Sequence, residues 1–245
     1  MKDEELLRYS RQIMLPQVDI DGQQKLIDST VLIVGMGGLG SPSAFYLAAA
    51  GIGHLILADF DRVELSNLQR QIIHSTPDVG KDKVDSAKET LVALNPEINV
   101  TTIKELTEEN LATHVSQADV VLDGTDNFKS RFAINKTCVE AETPLVSAAV
   151  IRFEGQLSVF KGYEINQPCY QCLYSEEGDG AENCVENGIL APVAGVLGTM
   201  QALQAIKVLL SLGEQLCGEL MLVDARDVSV RRLGIAKDSQ CPICN

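Results

Sequence analysis

The order of apolar and polar positions divides the chain into short β-branched runs and longer stretches at helical spacing. Residues 3–27 carry Leu6, Leu7, Ile13 and Leu15 and are interrupted at Pro16, so they predict an N-terminal arm that is helical in pieces. The run Thr30-Val31-Leu32-Ile33-Val34 predicts a strand that gives way to Gly35-Met36-Gly37-Gly38-Leu39-Gly40 and then to an alanine-rich helix over residues 41–51. A second run, His54-Leu55-Ile56-Leu57-Ala58, ends at Asp59. Two parallel strands joined by a crossover helix form a βαβ unit.

The alternation continues beyond that unit. Residues 81–94 read as a helix closed by Asn95-Pro96, and residues 99–103 as a strand. Residues 118–123 predict a buried strand that ends in Gly124-Thr125-Asp126-Asn127, ahead of a helix over 128–141 and a further parallel strand over 144–149. This order predicts an α/β fold with a doubly wound, Rossmann-like sheet, which takes ligands at the carboxyl ends of its strands. From about residue 150 the texture changes: 156–160 is strand-like, 168–188 is rich in Cys and Gly without a period, 193–212 is apolar at helical spacing, and 219–224 and 229–233 suggest closing strands. With no repeat, low-complexity tract or linker, the expectation is one domain over 1–245. Its parts are a helical arm (1–28), a nucleotide-binding part (29–150) and a C-terminal part (151–245).

Charge narrows the set of partners. Twenty Lys and Arg against 34 Asp and Glu give a net charge of −14, which repels phosphate backbones and anionic lipid surfaces. Nucleic acid and membrane are therefore not expected as partners. The acidic start Met1-Lys2-Asp3-Glu4-Glu5 does not resemble a signal peptide, and the expectation is a cytoplasmic protein. Seven cysteines are an odd number for a reducing compartment, which moves metal binding and catalysis ahead of disulfides.

The glycine turn lets backbone approach a phosphate, and the helix after it offers free N–H groups and the positive end of its dipole. Asp59, at the tip of the second strand, is placed to accept hydrogen bonds from ribose hydroxyls; the alternative is a turn that only packs helix on strand. Arg70, in Ser66-Asn67-Leu68-Gln69-Arg70-Gln71, and Lys83 offer cations to a polyphosphate, which favours ATP over NAD; the alternative for each is a solvated surface charge. Asp126, at the carboxyl edge of the sheet, suits magnesium held against phosphates, or else an Asx turn or helix cap. The pairs Cys169/Cys172 and Cys241/Cys244 have the spacing of a closed four-thiolate zinc site that braces loop and tail, against the alternative of redox pairs or disulfides. Cys138 and Cys217 read as inert. Cys184 lies in the unpatterned loop, where nucleophilic thiols occur, although Glu182 and Glu186 would raise its pKa. His54, His74 and His114 show no ligand spacing.

Taken in order, Arg8-Tyr9-Ser10-Arg11-Gln12-Ile13, Gly35-Met36-Gly37-Gly38-Leu39-Gly40, Ser66-Asn67-Leu68-Gln69-Arg70-Gln71, Thr125-Asp126-Asn127, Gly155-Gln156 and the two cysteine pairs resemble the ThiF/MoeB/HesA family. These are bacterial relatives of ubiquitin-activating enzymes. The resemblance implies a homodimer that uses MgATP to adenylate the C-terminal glycine of a ubiquitin-like, β-grasp sulfur carrier protein ending in Gly-Gly, with release of pyrophosphate. It also implies residue roles. Gly38 and Asp59 match nucleotide-cradling positions, and Asn67, Arg70 and Lys83 match phosphate contacts. Ser66, Thr125 and Asn127 accompany them, Asp126 matches the magnesium-binding aspartate, and Arg11 matches an arginine supplied by the partner subunit. Two branches compete. Arg8–Ile13 and Asp21-Gly22-Gln23-Gln24-Lys25-Leu26 resemble the thiamine branch, in which the cysteine matching Cys184 takes part in sulfur transfer. Ala149–Gln156 and Cys184–Gly188 resemble the molybdopterin-synthase branch, which the reading favours, and in which that thiol is dispensable. No C-terminal rhodanese-like domain follows Asn245, so the sulfur donor is expected to be a separate protein. A NAD-dependent oxidoreductase and a non-enzymatic, nucleotide-gated docking platform are the alternatives from other classes.

Overall fold

The computed structural model describes residues 1–175 and 188–245. Three short helices, α1 (Asp3–Arg8), α2 (Ser10–Ile13) and α3 (Asp19–Asp28), form the arm. They lead into β1 (Thr30–Val34), α4 (Gly40–Ala50), β2 (His54–Ala58), α5 (Lys83–Leu94), β3 (Asn99–Ile103), α6 (Glu108–Ser116), β4 (Val120–Asp123), α7 (Phe128–Glu140), β5 (Leu145–Ile151) and β6 (Glu154–Phe160). After the undescribed stretch come α8 (Ala191–Leu210), β7 (Glu219–Asp224) and β8 (Ser229–Gly234).

The described strands form one sheet in the order β3-β2-β1-β4-β5-β6-β7-β8. The first five run parallel, so the chain reverses its direction of winding between β1 and β4, and a crevice opens at their carboxyl ends. From β5 onward neighbours run antiparallel; for β5 and β6 the two-residue turn at Arg152-Phe153 permits a hairpin where a parallel step would need a crossover.

Strand alternation explains the layers. Val31 and Ile33 face a core that includes Leu47 of α4, Leu91 of α5 and Leu197 of α8, while Leu32 and Val34 face one with Val115 of α6 and Ile134 of α7. Both faces of β1 are buried, as in a doubly wound sheet. By length and composition α8 is apolar enough to cross a membrane, yet half of its most apolar stretch is buried. It crosses α4 so closely that a Cβ on Gly198 would meet the Leu39 carbonyl, and Gln201 Nε2 donates to the carbonyls of Asp123 (2.8 Å) and Val146 (2.9 Å) beneath the crevice. The arm is tied down at Tyr9, whose ring covers Gly51 and whose hydroxyl accepts from Asn95 Nδ2 at 2.9 Å.

The strands lie within a few residues of their predicted places. Helix α6 has no counterpart among the predicted elements; its apolar stripe is Leu111 and Val115 alone, and its clearest signal is polar, Thr107 Oγ1 capping the Asn110 N–H at 3.3 Å.

Candidate active site

A cavity of about 490 Å³ opens at the carboxyl ends of β1, β2 and β4. Its floor is the glycine turn. Gly35 has φ +93°, and a Cβ there would lie 2.9 Å from the Gly124 carbonyl oxygen, so the turns after β1 and β4 touch. Gly40 lacks the Cβ that would strike the Gly35 carbonyl, and α4 therefore starts directly beneath the turn. Gly38 lines the cavity, with space for a Cβ closed off by Arg70 Cγ at 3.3 Å and Ala194 Cβ at 3.2 Å.

Asp59 fixes the rim. Its Oδ2 accepts from Met36 N at 2.7 Å and its Oδ1 from Asp61 N at 2.8 Å, which ties the β2 end to the glycine turn and leaves lone pairs for a ligand. Burial raises its pKa above the ordinary carboxylate value, opposed by Lys83 and these two N–H groups. Arg70, Lys83, Thr125, Asp126 and Asn127 also line the cavity. Lys83 Nζ lies 2.8 Å from Asp61 Oδ2. Thr125 Oγ1 donates to Asp123 Oδ1 at 2.7 Å, and Asn127 Oδ1 accepts from Ser130 N at 2.9 Å. The cap of α7 is thus Asn127 and not Asp126, which stays exposed at the cavity.

Ser66 and Asn67 do not line the cavity. Ser66 Oγ donates to Glu64 Oε2 and Asn67 Oδ1 accepts from Glu64 N, which builds the short turn Leu65–Asn67 in front of Arg70. Arg11 is exposed on α2, its guanidinium 3.8 Å from Met14 Sδ, and does not line the cavity of its own chain. Cys184 lies outside the described residues.

Sequence reasoning missed Asp61, Gln71 and Arg131, all at the cavity. Asp61 was signalled by its spacing of two from Asp59, and Arg131 by its place one turn into the helix behind Asp126. Arg131 Nη2 donates to the Thr125 carbonyl at 2.6 Å, and its Nε, 3.9 Å from Asp123 Oδ2, has no hydrogen-bond partner.

A second cluster lies further along α7, beside Asn135. The sulfurs of Cys169, Cys172, Cys241 and Cys244 lie within 4.8 Å of one another, with Cys169 to Cys241 at 3.6 Å and Cys172 to Cys244 at 3.4 Å. Zinc–sulfur bonds of about 2.3 Å place the sulfurs of a tetrahedron about 3.8 Å apart, so the donor set could hold this ion. Burial pushes the Cys169 thiol up to about 11 and raises that of Cys244, while against its burial hydrogen bonds from Ile243 and Cys244 lower that of Cys241, so ionising Cys169 and Cys244 calls for a cation beside them. Cys138 is buried within α7, where burial raises its thiol pKa, and Cys217 is half-buried after α8.

The chain matches the description ThiF family over residues 9–243. It is 46% identical over 245 residues to the molybdopterin-synthase adenylyltransferase of Escherichia coli strain K12, covering all of this chain and 98% of that protein. It is 48% identical to the sulfur carrier protein ThiS adenylyltransferase of the same strain, again over the whole chain and 97% of the relative. Among solved structures, E. coli MccB with MccA-N7isoAsn superposes with a TM-score of 0.85 at 27% identity, covering 97% of this chain and 75% of MccB. MccB has also been solved with ATP.

Proposed function

Because the chain belongs to the ThiF family, we propose that it activates the C-terminal carboxylate of a small sulfur carrier protein by transferring AMP to it from ATP. The observation that carries this reading is the cavity at the β1–β4 switch point. It joins an open glycine turn, a ribose-height carboxylate at Asp59, the cations Lys83 and Arg70, and the exposed Asp126. Full-length identity to two adenylyltransferases of sulfur carriers supports it.

Bringing a carboxylate to the α-phosphorus of ATP sets two anions together, and the site must neutralise both. Asp59 accepts from the ribose hydroxyls, and the backbone of Gly37 and Gly38 approaches the phosphates. Arg70 and Lys83 draw the charge toward the leaving pyrophosphate, with Ser66 and Asn67 holding the turn that aims Arg70. Magnesium bound through Asp126 supplies further charge neutralisation to the phosphates. The carboxylate oxygen bonds to the α-phosphorus, the bond to the bridging oxygen breaks, and pyrophosphate leaves.

Arg11 completes the site from a second copy of the chain. It is exposed on α2, just after the Tyr9 anchor, and does not line its own cavity, which supports a role for it in another protomer and makes the dimer part of catalysis. Zinc in the four-cysteine cluster joins the tail to the segment before residue 175. The reading is completed by a cytoplasmic setting and by a separate protein that donates the sulfur.

For the carrier, Ala149–Gln156 favours the small subunit of molybdopterin synthase. The second reading, the thiamine-pathway carrier, rests on the 48% identity to the ThiS adenylyltransferase, against 46% for the other branch. Mixing the protein with MgATP and each carrier in turn, and weighing the carrier by mass spectrometry, tests both. An adenylate on the molybdopterin carrier is expected; one on the thiamine carrier alone reassigns the branch, and none on either refutes the reading.

A further inference from the structure

Helix α7 runs from the nucleotide cavity to the cysteine cluster and touches both through two side chains one turn apart. Arg131 and Asn135 are four residues apart and so share a face of the helix. Arg131 Nη2 donates to the Thr125 carbonyl, 2.6 Å away, in the turn that carries Asp126. Asn135 is fully buried and reaches the other way: its Nδ2 donates to Cys169 Sγ at 3.5 Å and its Oδ1 accepts from Tyr170 N at 2.9 Å.

Tyr170, between Cys169 and Cys172, closes the circuit. Its ring packs edge-on to Phe132 and Phe160, and its hydroxyl lies beside the Arg131 guanidinium without reaching hydrogen-bond geometry. Tyr170 Oη and Arg131 Nε are both buried and neither makes a hydrogen bond, although Nε lies 3.9 Å from Asp123 Oδ2. A buried donor and a buried acceptor that each lack a hydrogen bond are costly, and a small shift would join the two in one bond.

We propose that Tyr170, Asn135 and Arg131 form a relay that positions the Thr125–Asp126 turn from the cysteine cluster, so that metal in the cluster and nucleotide in the cavity stabilise each other. Arg131, as sole donor of the new bond, rotates its Nε onto Tyr170 Oη when nucleotide orders the turn. No covalent bond changes. The coupling is reciprocal: nucleotide slows metal loss by the factor by which metal tightens nucleotide. This inference rests on the reading of the cavity as an ATP site and of the cluster as a zinc site.

The test measures zinc release from the intact protein to a chromogenic chelator, with and without ATP, beside ATP binding by calorimetry. ATP is expected to slow release by about fivefold or more, and metal-stripped protein that keeps its circular dichroism should bind ATP weaker by a similar factor. Arg131→Lys keeps the charge but loses the planar fork, and should retain zinc while losing the coupling; Tyr170→Phe, which removes only the hydroxyl, should do the same. Calorimetry separates the failures: absence of ATP binding overturns the nucleotide reading, and absence of zinc in the purified protein overturns the metal reading. Tight ATP binding with unchanged zinc release, or coupling that survives both variants, overturns the relay.

Discussion

Lys83, with a side chain only 6% exposed, holds its ammonium 2.8 Å from the carboxylate of Asp61, which is 50% exposed. A buried cation paired to a half-solvated anion at a cavity wall can exchange that partner for a phosphate at little cost, because Asp61 returns to water. Lys83→Met should therefore keep the fold, shifting stability by about 1 kcal/mol, a common size for a single substitution. The same change should slow carrier-dependent ATP–pyrophosphate exchange by about 100-fold, the scale of losing one preorganised charge. Thermal melting and isotope exchange on the same preparation check both; a variant that exchanges as fast as the parent leaves Lys83 without a phosphate to bind.

Asp126 is exposed and caps nothing, so Asp126→Ala should leave the melting temperature within about 0.5 kcal/mol of equivalent stability. Adenylate formation should be lost. Near-normal exchange in this variant at low magnesium would remove its metal role.

The sequence made the parallel half of the sheet readable because strands buried on both faces are continuous apolar runs, as in Val120-Val121-Leu122. It also exposed Asp59 and Asp126, which follow strand ends, and Lys83, which opens α5. Arg131 stayed hidden because a buried arginine has the same letter as a surface one, and only the fold shows its Nη2 against the Thr125 carbonyl. Ser66 and Asn67 were legible as a motif, but their side chains are used within the turn before Arg70. Helix α6 carries a weak apolar stripe, and its strongest mark is a polar cap.

Cys172→Ala should lower zinc content and melting temperature together, since three thiolates leave a structural site incomplete and its binding energy is folding energy. Elemental analysis and calorimetry check this; full zinc with an unchanged melt would show that the cluster does not hold the ion.

His74 is buried behind the glycine turn, where Nδ1 meets Ser86 Oγ at 2.9 Å and Nε2 meets the Met36 carbonyl at 3.3 Å. Burial lowers its pKa below the ordinary 6.5. The unfolded chain therefore takes up a proton first, so this contribution to stability is complete above 6.5 and declines as pH falls from there through the depressed folded value. Melting temperature should fall between pH 7 and 5, and His74→Gln should show a shallower fall, with a remainder from His54, whose pKa burial also lowers. Identical slopes in the two proteins would remove His74 as the cause.

ATP–pyrophosphate exchange with and without a carrier protein tests the central claim most directly. Exchange is expected only when a small protein ending in Gly-Gly is present, and not when its last glycine is deleted. Exchange that runs equally well without any carrier would contradict the account.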